Sequence, residues 1–287
     1  MKNINSYPWI NPIGGVGDML MLSGILKQIH DQDPAKKYNM VRRTNYLTVF
    51  KDHPAINIIG FPNKEEKMVN VDYWSMGKLG SGKQRAYQIL AKSFGLPLPA
   101  KEVLYLPNMD VEADPLMEFI PWKNINIIIA PASDSPRKVM PAQLWHNLVD
   151  MLKMDDYFVL QIGRARDLHI RNAYSILGLT DIRQAINILR HSDFIITSDN
   201  FIMHAAYMIG KPAIVLWGAT IKEAYGYKEH LHIEATRTCE LSMKEECIDV
   251  RKSRDGTLYG THCPHGDKHC MASIDPLDIY RRVKTAL

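Results

Sequence analysis

No apolar run in this 287-residue chain approaches the roughly 20 residues that cross a bilayer, and its first residues lack the basic-then-apolar layout of a secretory leader. The expectation is a cytoplasmic protein with at most peripheral membrane contact. Charge of one sign is also scarce. Lys and Arg number 35 against 31 Asp and Glu, a formal net charge of +4. That balance does not indicate nucleic acid, although it suits an anionic substrate. A cluster such as Arg251 to Arg254 reads first as a solvated face. Cysteine is limited to four residues, Cys239, Cys247, Cys263 and Cys270. In a reducing cytoplasm disulfides are not expected, which leaves a metal site or ordinary buried thiols. There is no internal repeat at solenoid period and no low-complexity tract.

What is present is ordinary globular composition, 46% hydrophobic and 23% charged, at a length that exceeds a typical single domain. Two domains are the expectation. In the first third, Leu22, Ile25, Leu26 and Ile29 recur at helical spacing, and "YNMVRR" and "INIIGFP" read as strands. "SGKQRAYQILAKSFG" reads as a helix closed by Gly95. The stretch Asn108 to Asn124 is acidic, carries two prolines and has little periodicity, and reads as the linker.

After it, strands and helices alternate. "INIIIA", "YFVLQIG", "FIITSD" and "AIVLWG" read as strands. "PAQLWHNLVDMLK", with Leu144, Leu148, Met151 and Leu152 on one face, "IRQAINILRHS" and "FIMHAAYMIG" read as helices. A short helix follows Asp275 as N-cap and Pro276 at its first position. Such βαβα order implies a parallel sheet covered on both faces, and ligands in such sheets sit at the carboxyl ends of the strands.

The candidate motifs fall at those ends. "APASDSPRKVMP" brings Ser133 and Lys138 to the loop after one strand, where a lysine could approach a phosphate. "QIGRARD" and "LWGAT" end strands with Gly163 and Gly218, which permit close backbone approach. "TSDNFIMHAA" puts Asp199 at a strand end and His204 one turn into the next helix. "GKLGSGKQ" (Gly77 to Gln84) fits the GxxxxGK pattern, but Gln84 stands where a phosphate loop needs a hydroxyl for magnesium, so a flexible turn capping a helix is preferred.

"GGVGDMLMLSGILKQI", "IIIAPASDSPRKVMPAQLWHNLVDML" and "AINILRHSDFIITSDNFIMHAAYMIGKPAIVLWGAT" together, in this order and spacing, resemble the three signature blocks of the heptosyltransferases, glycosyltransferase family 9. The resemblance implies an α/β chain of GT-B fold, two Rossmann-like domains with a cleft between them. It puts residues 1–118 on the acceptor side and 119–272 on the sugar-nucleotide side, with a Cys-rich segment at 239–270. The C-terminal helix, 273–287, is placed as a candidate to pack back on the N-terminal domain. The implied reaction is inverting and needs no catalytic metal. The donor is a nucleotide-diphosphate sugar, with ADP-heptose the one the family suggests. The acceptor is a glycan, a glycolipid or a protein, and lipopolysaccharide biosynthesis is the implied setting.

Such a transfer needs a base for the acceptor hydroxyl and positive groups for the departing diphosphate. By the resemblance Asp18 is the candidate base, on an acceptor-side loop with Gly14, Gly15 and Gly17. A carboxylate beside a bound diphosphate would be repelled, so this turn is a poor phosphate cradle. Lys138 is the candidate phosphate contact, and Ser133, Gly163, Asp199, Asn200, His204 and Gly218 complete the donor side. The family commonly has glycine where this chain has Phe201, after Asp199 and Asn200. That departure keeps open a non-catalytic sugar-nucleotide or carbohydrate-binding relative of the same fold. The protein-heptosylating branch carries a cysteine-bound iron near the C-terminus. Its existence favours a structural zinc or iron on Cys239, Cys247, Cys263 and Cys270, although Cx7C and Cx6C lack a CxxC knuckle.

Overall fold

The computed structural model describes residues 7–42, 45–76, 84–97, 101–109, 115–237 and 270–287. The chain divides into two units, Met1–Asp110 and Val111–Leu287. The sequence placed the division after residue 118, and the residues just beyond that point pack on the second unit. Tyr174 Oη donates to the Phe119 carbonyl at 3.2 Å, and Trp122 stacks on His191 with ring centroids 5.8 Å apart.

The N-terminal unit is a four-stranded parallel sheet built from β1 (Trp9–Pro12), β2 (Tyr38–Val41), β3 (Ile56–Gly60) and β4 (Met68–Val71), in the order β3-β2-β1-β4. Helix α1 (Val16–Gln32) links β1 to β2, and the short α2 (Tyr73–Met76) precedes α3 (Ala86–Ser93). Helix α1 is buried on more than one side, with Leu20, Ile25 and Leu26 at 0% exposure. Gly24 makes this possible: a Cβ there would stand 1.8 Å from the Val103 carbonyl oxygen, so only glycine lets the 101–106 segment cross the helix. Tyr87 Oη accepts from the Val103 N–H at 3.2 Å and lies 2.6 Å from Gln28 Nε2, which fixes that crossing.

Among the described residues the C-terminal unit holds α4 (Pro115–Phe119) and then six parallel strands. These are β5 (Asn126–Ala130), β6 (Phe158–Gln161), β7 (Tyr174–Ser175), β8 (Phe194–Ser198), β9 (Ala213–Trp217) and β10 (Leu231–Glu234). Between them lie α5 (Ala142–Met154), α6 (Ile182–Arg190), α7 (Phe201–Met208) and α8 (Lys222–Tyr225). Their spatial order, β7-β6-β5-β8-β9-β10, is the 3-2-1-4-5-6 order of a dinucleotide-binding fold, whose direction reverses between β5 and β8. Ile127, Ile128 and Ile129 are all fully buried because helices cover both faces of the central strand.

Helix α5 buries Trp145, Leu148, Val149 and Leu152, with Leu144 and Met151 only partly covered. The buried stripe is therefore rotated from the one read in the sequence, so that the large indole of Trp145 reaches the core. Helix α9 (Pro276–Ala286) packs on α5 through Ile279 and Val283 and is tied by Tyr280 Oη to Asp155 Oδ2 at 2.8 Å. Asp275 caps it, accepting from the Leu277 N–H, as read in the sequence.

Candidate functional site

In the C-terminal unit the loops after β5, β8 and β9 converge where the strand order reverses. Lys138 ends a 3-10 turn, Pro136–Lys138, and its Nζ lies 2.8 Å from Asp199 Oδ2, just past β8. Thr220, after β9, donates its hydroxyl to the same oxygen at 2.7 Å. Asp199 is 3% exposed, whereas the Lys138 side chain keeps 20% of its surface in solvent. Burial alone would raise the Asp199 carboxyl; the Lys138 charge and hydrogen bond and the Thr220 hydroxyl reverse that, leaving it below the ordinary carboxylate range. The Lys138 ammonium also lies 5.8 Å from the centre of the Tyr225 ring. A partly exposed cation thus stands at the reversal point, held from behind by a buried anion.

The scaffold around it uses the other residues. Ser133 Oγ donates to the Asp199 carbonyl at 3.1 Å, joining the β5 and β8 loops. Both ends of the Asn200 side chain are engaged: Nδ2 donates to the carbonyls of Ala130 and Ala132 at 3.0 and 2.7 Å, while Oδ1 accepts the Thr197 hydroxyl at 2.9 Å and the Ile202 N–H at 2.8 Å, capping α7. The sequence offered Asn200 as a donor ligand; its amide works inside the protein, as a clamp. Phe201 opens α7 in helical conformation, so its backbone requires no glycine. His204, 5% exposed, has Nδ1 2.6 Å from Tyr227 Oη.

Two of the glycines have packing reasons. A Cβ on Gly218 would meet Met271 Sδ at 2.4 Å and Cys270 Sγ at 3.1 Å. A Cβ on Gly163 would meet Asp167 Oδ2 at 2.7 Å, an oxygen that accepts the Arg164 N–H. Arg164 forms ion pairs with Asp134 and Asp167, joining the loop after β5 to that after β6.

In the N-terminal unit the strand order reverses between β1 and β4, and the glycine turn follows β1. Asp18 occupies the third helical position of α1, where its Oδ2 accepts the Gly15 N–H at 2.7 Å. Gly14 has φ +137°, and a Cβ there would stand 2.3 Å from Asp18 Oδ2. Gly15 is the N-cap, and Gly17 is buried in the first turn. The turn therefore presents a half-buried, oriented carboxylate at a helix start, where the macrodipole favours negative charge. Asp72, buried directly after β4, is a second carboxylate at the same reversal point that the sequence did not disclose.

Cys239, Cys247 and Cys263 lie outside the described residues, as do Gly77 to Lys83 of the GxxxxGK pattern. Cys270 is buried in the core of the C-terminal unit. Among the described residues no group of three or more His, Cys, Asp or Glu is placed to hold a metal, and no helix is long and apolar enough to cross a membrane.

The family model for glycosyltransferase family 9 (heptosyltransferase) matches residues 84–253. The chain is similar in structure to the iron-containing dodecameric glycosyltransferase TibC of enterotoxigenic E. coli H10407. That match has 14% identity and a TM-score of 0.70, over 98% of this chain and 76% of that one. It is similar to E. coli ADP-heptose lps heptosyltransferase II, at 14% identity and a TM-score of 0.64, over 98% of each chain. It is also similar to the E. coli heptosyltransferase WaaC with ADP-2-deoxy-2-fluoro heptose. Here identity is 11% and the TM-score 0.59, over 98% of this chain and 100% of that one. No match is found among curated proteins. At such identities these likenesses speak for the fold, and they bear out the GT-B class expected from the sequence.

Proposed function

The chain belongs to glycosyltransferase family 9, the heptosyltransferases, and on that premise we propose that it transfers a sugar, with inversion, from a nucleotide-diphosphate sugar to an acceptor hydroxyl. The observation that carries the reading is the partly exposed Lys138 held on buried Asp199 where the strands of the C-terminal unit reverse. That is where an α/β sheet of this order takes a nucleotide, and a lysine there suits a diphosphate.

In this reading Lys138 and the first amides of α7 receive the negative charge that develops on the diphosphate as the anomeric C–O bond breaks. Asp18 takes the proton of the acceptor hydroxyl as its oxygen attacks the anomeric carbon from the opposite face. The Gly15 N–H, holding one carboxylate oxygen, orients the other for that step. Ser133, Asn200 and Thr220 hold the donor loops together, and His204 faces the donor. These protein groups supply the positive charge, so the transfer step uses no metal.

ADP-heptose is the proposed donor; the chain is similar, at a TM-score of 0.69, to the heptosyltransferase TibC in complex with ADP-D-beta-D-heptose. The proposed acceptor is a glycan, glycolipid or protein hydroxyl, with lipopolysaccharide biosynthesis as the setting and the cytoplasm as the compartment. A structural zinc or iron on Cys239, Cys247, Cys263 and Cys270 is proposed on sequence grounds alone, and no reaction step is assigned to it. Metal analysis of tag-free protein tests it, and substoichiometric metal overturns it.

Thermal unfolding with ADP, UDP, GDP and ADP-heptose tests the donor reading. A ligand at a hundred times its Kd stabilises by about 2.7 kcal/mol, a readily measured rise in Tm. ADP and ADP-heptose are expected to give it, and a response to UDP or GDP alone would reject the proposed donor.

A further inference from the structure

Arg164 repeats the design of Lys138 one strand away. Lys138 belongs to the loop after β5 and is backed by buried Asp199; Arg164 belongs to the loop after the neighbouring strand β6 and is backed by Asp167, whose side chain is 8% exposed. Arg164 Nε and Nη2 both lie 3.1 Å from Asp167 Oδ1, and its backbone N–H donates to Asp167 Oδ2 at 2.7 Å. The loop that carries it is fixed. Gln161 donates through Nε2 to the Leu168 carbonyl and accepts the Ile170 N–H through Oε1, each at 2.8 Å, and the Gly178 N–H donates to the Gly163 carbonyl at 2.9 Å. With Nε and Nη2 turned to Asp167, Nη1 is left to meet Asp134 of the β5 loop.

Asp134 differs from the other two carboxylates. Its side chain is 62% exposed, and it lies four positions before Lys138 in the same loop. Arg164 does not need it to stay charged, because a guanidinium is always ionised and Asp167 already pairs it. Three carboxylates face two cations in this group, so one negative charge is in excess, and it is the exposed one. A pair so open to water contributes little to stability. Left in place, that carboxylate would repel a diphosphate arriving at Lys138.

We propose that Asp134 is a stand-in anion: before the donor binds it occupies Nη1 of Arg164, and the diphosphate of the donor displaces it, so that Arg164 becomes a second cationic contact beside Lys138. The exchange is favourable because phosphate oxygens bring more charge and a closer match to the planar guanidinium than one oxygen of Asp134 does. Asp134 is already near water and moves out to it at little cost. Asp167 keeps the guanidinium aimed throughout, since its bonds to Nε, Nη2 and the backbone do not involve Nη1. The proposal rests on the reading that Lys138 receives the diphosphate.

The test is calorimetric titration of the full-length protein with ADP. Asp134→Asn keeps the shape of the side chain and removes its charge, and is expected to tighten ADP about three- to fivefold by freeing Arg164. Arg164→Gln is expected to weaken ADP about tenfold or more. Adding Asp134→Asn to Arg164→Gln is expected to restore nothing, because the carboxylate acts through the guanidinium. Weaker or unchanged binding by Asp134→Asn marks the pair as a structural strap and overturns the proposal. It does so without the arginine variant, which leaves Asp167 unpaired and is the one at risk of unfolding. A gain from Asp134→Asn that persists in the Arg164→Gln background also overturns it, since the effect is then general repulsion. A wild type that binds no ADP sinks the donor-site reading along with this one, whereas wild-type binding that Arg164→Gln leaves unchanged sinks the exchange alone.

Discussion

Lys138 Nζ and Asp199 Oδ2, 61 positions apart in the chain, meet at 2.8 Å because β5 and β8 are adjacent parallel strands whose carboxyl-end loops face each other. The carboxylate is buried and the ammonium partly in solvent. The anion therefore depends on the lysine more than the lysine depends on it.

Lys138→Ala strands a buried carboxylate, and stability to urea is expected to fall by roughly 3 kcal/mol. Lys138→Ala combined with Asp199→Asn removes both charges and is expected to recover most of that loss. The double variant should still show no Tm rise with ADP. Because the Asp199 carboxyl is held below its ordinary value, its contribution is present at neutral pH and is lost as pH falls through that lowered folded value.

His53 predicts a separate acid sensitivity in the N-terminal unit. Its Nε2 donates to the Ser23 carbonyl at 2.9 Å and its Nδ1 accepts the Ala55 N–H at 3.1 Å, so the folded ring is neutral. Burial pulls its pKa down to about 4. Above the ordinary value near 6.5 this costs nothing. As pH falls from there to about 4 the unfolded chain takes up a proton that the folded one refuses, and stability drops by about 3 kcal/mol. Urea titrations across that range should show a shallower pH slope for His53→Asn than for the wild type.

Gly24 and Gly210 separate the two reasons for glycine. Gly24→Ala drives a Cβ to 1.8 Å from the Val103 carbonyl oxygen, and is expected to cost more than about 3 kcal/mol or to prevent folding. Gly210 ends α7 at φ +72° with open space around it, so Gly210→Ala should cost only about 1–2 kcal/mol. Equal costs in thermal or urea unfolding would contradict the close crossing on α1.

Much of the C-terminal unit was legible because its strands are continuous apolar runs. Ile127 to Ile129 and Phe194 to Ile196 need no context to read as buried. Strand β4 was not, since Met68, Val69 and Asn70 are exposed at a sheet edge and leave no hydrophobic signature, and with it went Asp72. Strand β7 has two residues and β10 reads "LHIE", too short or too polar to announce a strand. At the site, strand-end position disclosed Lys138 and Asp199. It could not disclose Thr220 or Tyr227, whose partners are 21 and 23 positions away and are brought close by the fold. Nor could it disclose that the Asn200 amide clamps Ala130 and Ala132, or that Met271 packs where a Cβ on Gly218 would stand.

The central claim is that Asp18 removes the acceptor proton while the donor is held elsewhere, by Lys138. The most direct measurement is the rate of ADP release from ADP-heptose by wild type, Asp18→Asn and Lys138→Ala, with deacylated lipopolysaccharide core as acceptor. Asparagine still accepts the Gly15 N–H, so Asp18→Asn should fold and keep the ADP-induced rise in Tm while transfer falls by about 10² to 10⁴. Transfer retained by Asp18→Asn at the wild-type rate would contradict the account.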